Sequence, residues 1–400
     1  MRRTHDGTEA MIPQDLETLL RTIRRHLHMH PELGTQEFET ATFIREVLQM
    51  HGLRPVGPIA GTGLYVDIEG AHPGPAVGYR ADIDALPIPD AKQVPYASRT
   101  PGVAHLCGHD VHTAVALGVA LLLDRHREDL HGRVRVFFQP NEEGIPSGAP
   151  LMIRDGVLEG LEAVYAIHVD PTLPVGVYGL ISGAATASAD QFRVVVQGPG
   201  TGHSARPHQS IDTVWVATQI MSALYPLAGR ITDARNAAVL TICRVHGGEA
   251  YNVIPERVWF GGTIRCTEPE DRARLKDQLL RTAAAIGHLH RAHVEVDFDD
   301  GAPAVRNDPR LIDTVRQTIL EMHGPEAIFE IPRPSMGGED FAYYLEEVPG
   351  ALIRVGTASG PETSHPLHDS CFDVDEAALV PAAHLMSRVL RSHLERHPLG

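Results

Sequence analysis

The segment Ala104–Thr113 constrains the fold of this chain more than any other part of the sequence. It groups a thiol, imidazoles and a carboxylate around Cys107, Gly108 and His109, directly before an apolar run, 114–123, that is typical of a buried helix. Cysteine and histidine are soft and borderline metal ligands, and open α/β sheets place their sites where a strand ends and a helix begins. The segment therefore predicts a metal-binding junction in an α/β fold.

Composition limits the number of domains and the kinds of partner. The 400 residues are 43% hydrophobic, and a chain of this size is expected to form two domains. The formal net charge of -16 argues against nucleic-acid and anionic membrane partners. Two arginines near the N-terminus precede no apolar stretch of a signal peptide, and no segment has the length of a membrane span, so we expect a cytoplasmic protein. Four scattered cysteines do not suggest a disulfide framework.

The pattern of predicted strands and helices changes twice along the chain. At both ends, short apolar runs alternate with helix-like stretches, which predicts an α/β domain with a mostly parallel central sheet flanked by helices. Residues 187–300 instead carry alternating strands with two long helices, a pattern typical of an α+β module. We therefore expect a metal-binding α/β domain of residues 1–186 and 301–400, which would be the catalytic domain of an enzyme, with an inserted α+β domain of residues 187–300.

Groups that bind metals or transfer protons follow several predicted strands. The five segments that carry them are Arg80–Asp84, Cys107–His109, Gln139–Gly144, Ile167–Pro171 and His365–His368. Taken singly, each has an ordinary explanation, such as a small buried cysteine, a solvated acidic turn or a loop histidine. Because the carboxyl ends of parallel strands share one edge of a sheet, the five would converge on a single crevice.

The adjacent carboxylates Glu142 and Glu143 are the most informative pair after Cys107. They follow a predicted buried strand, and neighbouring side chains beyond a strand point in different directions. One carboxylate can then bind a cation while the other acts on a water molecule.

The motifs on these segments also resemble a known family. The chain is similar to the metal-dependent amidohydrolase subfamily of the aminoacylase/carboxypeptidase metallopeptidases, which contains hippurate hydrolases, N-acyl-amino-acid amidohydrolases and auxin-conjugate hydrolases. The resemblance runs nearly end to end. It is carried by Arg25–Leu33, Arg80–Pro87, His105–Asp110, Gln139–Gly144, Asn252–Pro255 and Met336–Phe341.

The resemblance implies two divalent ions per subunit. Their implied ligands are Cys107 as the bridge, with His109, Glu143, His168 and His368. His365 competes with His368 for the last position. Glu142 would be the general base, and Asp82 would be either an outer carboxylate bonded to a ligand or a structural turn residue. Thiolate and imidazole favour Zn2+, whereas the carboxylate also admits Mn2+, Co2+ or Ni2+.

The inserted module resembles the satellite or dimerisation domain of the same family. The resemblance implies that His203 stabilises the oxyanion in the active site of a neighbouring subunit. It also implies that Asn252 and Arg265 bind the carboxylate of the substrate's amino-acid half, although a surface ion pair would equally account for Arg265. A homodimer is expected, and a tetramer is also compatible with the sequence.

The implied reaction is metal-dependent hydrolysis of the amide bond of an N-acyl amino acid. Its substrate would be hippurate-like, N-acetylated or aryl-acylated, and its products a carboxylic acid and a free amino acid. A di- or carboxypeptidase of the same clan is the nearest alternative. Two others are a cysteine hydrolase that pairs Cys107 with His109 or His112, and a non-catalytic metal-binding relative.

Two departures from the family pattern flank the glutamate pair. Asn141 stands where alanine is usual, and Ile145, Pro146 and Ser147 replace part of a glycine-rich run. Because the implied ligands are intact, these departures bear on the substrate and not on the reaction.

Overall fold

The structure, a computed structural model, describes residues 15–396, so the expectation about a signal peptide lies outside the described residues. The helices are α1 (Leu16–Met29), α2 (Phe38–Met50), α3 (His109–Arg125), α4 (Ala149–Arg154), α5 (Thr213–Leu224), α6 (Ala228–Ile231), α7 (Pro269–Leu289), α8 (Pro309–His323), α9 (Ala342–Glu347) and α10 (Leu379–Arg396). The strands are β1 (Val56–Ile59), β2 (Gly63–Glu69), β3 (His72–Asp82), β4 (His131–Gln139), β5 (Ala163–Pro174), β6 (Tyr178–Leu180), β7 (Gly183–Ala184), β8 (Asp190–Gln197), β9 (Gly202–His203), β10 (Ala238–His246), β11 (Val253–Ile254), β12 (Arg257–Cys266), β13 (His293–Asp299), β14 (Arg306–Asn307), β15 (Ile328–Glu330) and β16 (Gly350–Ala358).

The chain forms two compact units. The first comprises the described residues up to Ser182, then Asn307–Pro332 and the described residues from Tyr344 onward. The second comprises Gly183–Arg306 and Arg333–Tyr343. This grouping differs from the sequence-based bounds, which assigned all of 301–400 to the catalytic domain. Backbone hydrogen bonds explain the difference, because the segment 333–343 is bonded to residues 185–187 of the second unit.

An eight-stranded sheet forms the centre of the first unit. Its order is β1-β2-β4-β3-β5-β16-β6-β15, and the central neighbours β4, β3, β5 and β16 run parallel to one another. The pairs of β2 with β1 and β4, and of β6 with β16, are antiparallel. The helices α1, α3, α8 and α10 pack with the sheet in one apolar core. The predicted mostly parallel sheet flanked by helices is confirmed.

Helix α3 is buried on every side, which explains why its sequence is apolar all round after the polar first turn. Every residue from His109 to Leu123 is buried. Gly108 precedes it in a left-handed conformation, with φ of 87°, and a Cβ atom at this position would lie 2.3 Å from Cγ2 of Val169. Only glycine fits this turn, which starts the helix at His109. Neither α3 nor any other helix within residues 15–396 is long and apolar enough to cross a membrane.

A fully buried arginine ties three parts of the first unit together. Nε of Arg24 on α1 donates to Oδ2 of Asp110 on α3 at 2.8 Å, and its Nη2 donates to Oδ1 of Asp373 at 2.7 Å. Burial alone would raise the pKa of both carboxylic acids, but the charge of Arg24 holds the pKa of Asp373 below its usual range and that of Asp110 well below it. The acidic groups are therefore ionised in the folded chain.

The second unit has its own sheet and core. Its four strands are antiparallel in the order β10-β12-β8-β13, and α5 and α7 share their apolar core. Two short strands, β9 and β11, pair beside it. The predicted α+β character of the inserted module is confirmed.

We predict that Arg24→Met lowers the free energy of unfolding by about 3–5 kcal/mol at pH 7, because it leaves two buried carboxylates without a cation. The folded pKa values of Asp110 and Asp373 lie below the ordinary 3.8, so the stabilisation is present above that pH and is lost as the pH falls through the lowered values. Urea unfolding across a pH series measures this difference.

The matched control is Arg21→Met on the same helix. The side chain of Arg21 is 41% exposed, so its ion pairs are screened by water, and its loss is expected to cost less than about 1 kcal/mol. Equal costs for the two variants, or a cost of Arg24→Met that does not change with pH, would contradict the prediction.

Candidate metal centre

The strand ends of the first unit place the predicted groups at one edge of the large sheet. Strands β3 and β4 run parallel and end side by side, with Asp82 paired in register with Gln139. Asp84 follows the first strand, and Glu142 and Glu143 follow the second. The first turn of α3 begins at His109 on the same side.

Three of the predicted ligands form a compact group. Candidate ligand atoms of Cys107, His109 and Glu143 all lie within 4.8 Å of one another. Nε2 of His168 lies 3.6 Å from Sγ of Cys107, and Nε2 of His368 lies 3.2 Å from Oε1 of Glu143. The structure thus brings together all five residues that the sequence proposed as ligands.

Of the two C-terminal histidines, His368 is the one beside the group. The ring of His365 instead approaches Asp369, with 3.9 Å between its Nδ1 and Oδ1 of that residue. His368 adopts a left-handed backbone conformation, with φ of 67°, and its N–H donates to the carbonyl of Leu106 at 2.8 Å. That bond links the C-terminal loop to the segment that carries Cys107.

The donor set fits a divalent cation. Within the described part of the chain, Nε2 of His109 is buried without a hydrogen-bond partner, whereas Oε1 of Glu143 lies beside Nε2 of His368. Buried polar atoms are nearly always satisfied, so an unsatisfied imidazole nitrogen facing a thiol and a carboxylate points to a ligand that binds it. Nitrogen, sulfur and carboxylate oxygen together are donors that suit zinc and related metals.

Asp84 orients two of these ligands, a role that was not predicted from the sequence. Its Oδ1 lies 3.2 Å from Nδ1 of His109, and its Oδ2 accepts from the N–H of Glu143 at 3.0 Å. The carbonyl of Asp84 also lies 2.9 Å from the same ring nitrogen. These bonds leave Nε2 of His109 available for a metal, which is how outer carboxylates usually act. The available signal was its place two residues after Asp82 in the same motif.

Asp82 is a buried carboxylate whose oxygens already have protein partners. Arg80 donates to Oδ2 at 2.6 Å, and Nδ1 of His112 lies 2.6 Å from Oδ1. Burial alone would raise the pKa of Asp82, but His109, His112 and Arg80 hold it well below its usual range. Asp82 also lies 3.7 Å from Nε2 of His109, so this geometry favours an outer carboxylate over a simple turn residue.

His112 uses both of its ring nitrogens within the fold. While Nδ1 bonds Asp82, Nε2 accepts from the N–H of Val169 at 3.0 Å. Neither nitrogen is left to act as a base on Cys107. His112 therefore connects Asp82 to the backbone beside His168, and it does not serve a cysteine hydrolase.

Electrostatics also argue against an activated thiol at Cys107. Burial raises the pKa of this thiol, so the group stays protonated unless a cation lies close to it. Burial likewise lowers the pKa of His168 and keeps its ring neutral, which is the form that binds metals. Burial opposes protonation of His109 as well, but Asp82 and Asp84 raise the pKa of its ring.

The remaining predicted residues belong to the second unit. His203 on β9 is exposed, pairs with Val253 on β11, and its Nδ1 accepts from the N–H of Ala205 at 3.1 Å. The carbonyl of Asn252 accepts from the N–H of Ser204 at 3.1 Å, so these two predicted residues lie on neighbouring segments. Their roles stay predictions.

Arg265 makes a backbone contact and no ion pair among the described residues. Its Nη1 donates to the carbonyl of Met336 at 2.8 Å. The arginine thus holds the first residue of the Met336–Phe341 motif within the second unit, and the surface ion pair considered for it is not formed. Its role in substrate binding stays a prediction.

Comparison with known proteins decides the family. A profile described as peptidase family M20/M25/M40 matches residues 78–392. The chain belongs to this family. A solved Bacillus subtilis structure, described as a dinuclear metal binding peptidase from the M20 family, superposes with a TM-score of 0.84 at 35% identity, covering 95% of this chain and 99% of that one. This M20 chain is therefore a metal-dependent hydrolase of amide bonds.

Named relatives of this M20 hydrolase act on different amides. An N-acetyl-L-cysteine deacetylase of Bacillus subtilis is 38% identical over 94% of this chain and 89% of its own length. A protein named thermostable carboxypeptidase 2, from Saccharolobus solfataricus, is 35% identical over 92% of this chain and 93% of its own length. Family membership thus supports amide hydrolysis without selecting a substrate.

We predict that Cys107→Ala weakens the affinity for Zn2+ at least about tenfold, because it removes the central donor of the group. Competition with a chelating dye measures that affinity. Cys266→Ala is the matched control, since Cys266 is also a buried free thiol but lies in the second unit. Equal affinities of the two variants would rule out Cys107 as a ligand.

Proposed function

We propose that this chain hydrolyses the amide bond of N-acyl amino acids, using two divalent ions held by Cys107, His109, Glu143, His168 and His368. The observation that carries the proposal is the convergence of these five side chains beyond the strand ends, with Nε2 of His109 buried without a hydrogen-bond partner. Glu142 directly precedes Glu143 in the chain. The deacetylase among the relatives supports an acylated amino acid as the substrate.

Glu142 is the proposed acid-base residue. When bound, the metal ions would polarise the amide carbonyl and lower the pKa of nearby water. Glu142 would take the proton from the attacking water and return it to the leaving amine. The backbone N–H of its neighbour Glu143 donates to Asp84, and we assign Glu143 to metal binding and Glu142 to proton transfer. His203, Asn252 and Arg265 would stabilise the oxyanion and bind the substrate carboxylate, as the family resemblance implies.

Zinc is the metal that we propose first. A thiolate with imidazole ligands favours Zn2+, while the carboxylate of Glu143 keeps Mn2+, Co2+ and Ni2+ as alternatives. Metal supply decides between such ions in the cytoplasm, which is the proposed location of this enzyme.

A carboxypeptidase is the second candidate function. It is favoured by the relatives named thermostable carboxypeptidase, one of which spans 92% of this chain. Both reactions require the same ligands and the same base, so only the substrate distinguishes them. In a peptide substrate, further amino-acid residues lie on the carbonyl side of the amide bond that is cleaved. In an N-acyl amino acid, only a short acyl group lies on that side.

We predict that metal-stripped protein is inactive, that Zn2+, Mn2+ or Co2+ restores hydrolysis, and that Glu142→Gln lowers kcat by about 10²- to 10⁴-fold while metal affinity is retained. The assay uses N-acetyl, N-benzoyl and indole-acetyl amino acids beside dipeptides, with release of the free amino acid as the readout. Preference for the acylated substrates would support the amidohydrolase over the peptidase.

Glu159→Gln, at an exposed glutamate of the same unit, is the matched control and should leave kcat unchanged. Activity that survives metal removal but not thiol alkylation would replace this proposal with the cysteine hydrolase. Metal binding without hydrolysis of any substrate would instead support the non-catalytic relative.

We also propose that the second unit mediates a homodimer, as the family resemblance implies. Strand β10 is an edge strand of its sheet, paired only with β12 among the described strands. Val245 on this strand is 58% exposed and Trp215 on α5 is 52% exposed. Edge strands with exposed apolar residues readily pair with another chain. A tetramer would need a second interface in addition to this one.

We predict that Val245→Lys converts a dimer into a monomer, because a charge at the edge opposes strand pairing. Light scattering coupled to size-exclusion chromatography gives the mass directly. Phe38→Lys, at a residue that is 63% exposed in the first unit, should leave the mass unchanged. A wild-type monomer, or a Val245→Lys variant that stays dimeric, would refute this interface.

A further inference from the structure

We propose that Asn141 is a positioning residue that holds Glu142 in place by closing the loop of residues 141–148. The inference rests on the proposed function, because it concerns the geometry of the proposed base. It arises from a residue that departs from the family pattern and that the reaction itself does not require.

The backbone of Asn141 explains why asparagine suits this position. Its φ is 54°, in the left-handed region that most side chains avoid, and the residue is only 8% exposed. Asparagine tolerates this conformation better than alanine does. The turn directs the chain from the end of β4 into the glutamate pair.

The side chain of Asn141 then closes the loop. Its Nδ2 donates to the carbonyl of Pro146 at 2.8 Å, while the backbone carbonyl of Asn141 accepts from the N–H of Gly148 at 2.8 Å. Oδ1 occupies the space above two glycines, since a Cβ atom on Gly34 or Gly144 would lie 2.1 Å from it. The amide is therefore enclosed as well as hydrogen-bonded.

Buried carboxylates fix the backbone on both sides of Glu142. The N–H of Asn141 donates to Oε1 of Glu37 at 2.9 Å, and the N–H of Glu143 donates to Oδ2 of Asp84 at 3.0 Å. Glu37 is completely buried and accepts from the hydroxyl of Thr62 through its other oxygen. Glu142 is thus held between two anchored residues, and Asn141 is the one whose side chain also holds the rest of the loop.

The two departures from the family pattern form one physical unit. The partner of the Asn141 amide is the carbonyl of Pro146, which belongs to the segment that replaces the glycine-rich run. Alanine at position 141 would lose this bond and would leave the loop attached only through its backbone. The asparagine and the altered loop therefore act together.

The test is a double-mutant cycle between Asn141→Gly and Glu142→Gln. Glycine keeps the left-handed backbone and removes only the side-chain amide. Alone, Asn141→Gly should lower kcat by about 10- to 100-fold, with KM unchanged within about twofold, because a small displacement of the base slows the chemical step. In the Glu142→Gln background it should not lower kcat further, since the residue acts through the missing carboxylate.

Hydrogen exchange provides a readout that does not depend on activity. The amide of Gly148 donates to the backbone carbonyl of Asn141, which Asn141→Gly retains. It should nevertheless exchange faster in this variant, because loss of the side-chain bond to Pro146 loosens the loop. Asn236→Ala is the matched control. Asn236 donates a hydrogen bond of 2.7 Å to Asp271 in the second unit, and its loss should change neither kcat nor this exchange. Asn141→Asp replaces the donor with a carboxylate oxygen that repels the carbonyl of Pro146 and also adds a negative charge. It keeps the test available if the glycine variant does not fold, with faster exchange at Gly148 as its readout.

An unchanged kcat in Asn141→Gly, or equal losses of kcat in both backgrounds, would overturn the positioning role. Unchanged exchange at Gly148 would overturn the closure of the loop. A wild-type chain that hydrolyses no amide of the panel would instead overturn the proposed function, while the exchange experiment still reports on the loop. The two failures are therefore distinguishable.

Discussion

A buried carboxylate at the end of a parallel strand is the interaction on which the centre depends. Asp84 bonds the ring of His109 and the backbone of Glu143, so one carboxyl group orients ligands from two separate segments. A buried carboxyl group is stable in such a place only where hydrogen-bond partners surround it. Those partners are supplied by the start of α3 and by the loop after β4, and the geometry of the sheet decides where both begin.

The other buried charges of the first unit are also surrounded by hydrogen-bond partners. Arg24 is fully buried, yet its guanidinium bonds Asp110 and Asp373, and Nδ1 of His28 lies 2.7 Å from the same oxygen of Asp110 that Arg24 bonds. Asp110 is the residue after His109, so this network holds the first turn of the helix that carries a proposed ligand. Removing one partner from such a network is costly, because it leaves a buried charge unpaired.

The sequence predicted most of the fold, because apolar periodicity identifies strands and helices from local signals. The five proposed ligands were implied by the resemblance of their motifs to a family, and the structure brings their side chains together, while their roles stay predictions. Asp84, Glu37 and Asn141 were missed as supports because their partners lie in other segments or in the backbone. The placement of 333–343 was also missed, since hydrogen bonds to distant backbone assign it to the second unit.

That placement makes the second unit discontinuous in the chain. It consists of Gly183–Arg306 and Arg333–Tyr343, with a segment of the first unit, Asn307–Pro332, between them. A fragment expressed as one continuous stretch of the chain would have one of two defects. It would either omit the segment that contains Met336, which Arg265 contacts, or include α8, which packs in the core of the first unit. The second unit therefore cannot be transferred into another protein as one continuous segment. Its two pieces would first have to be joined by a new covalent connection.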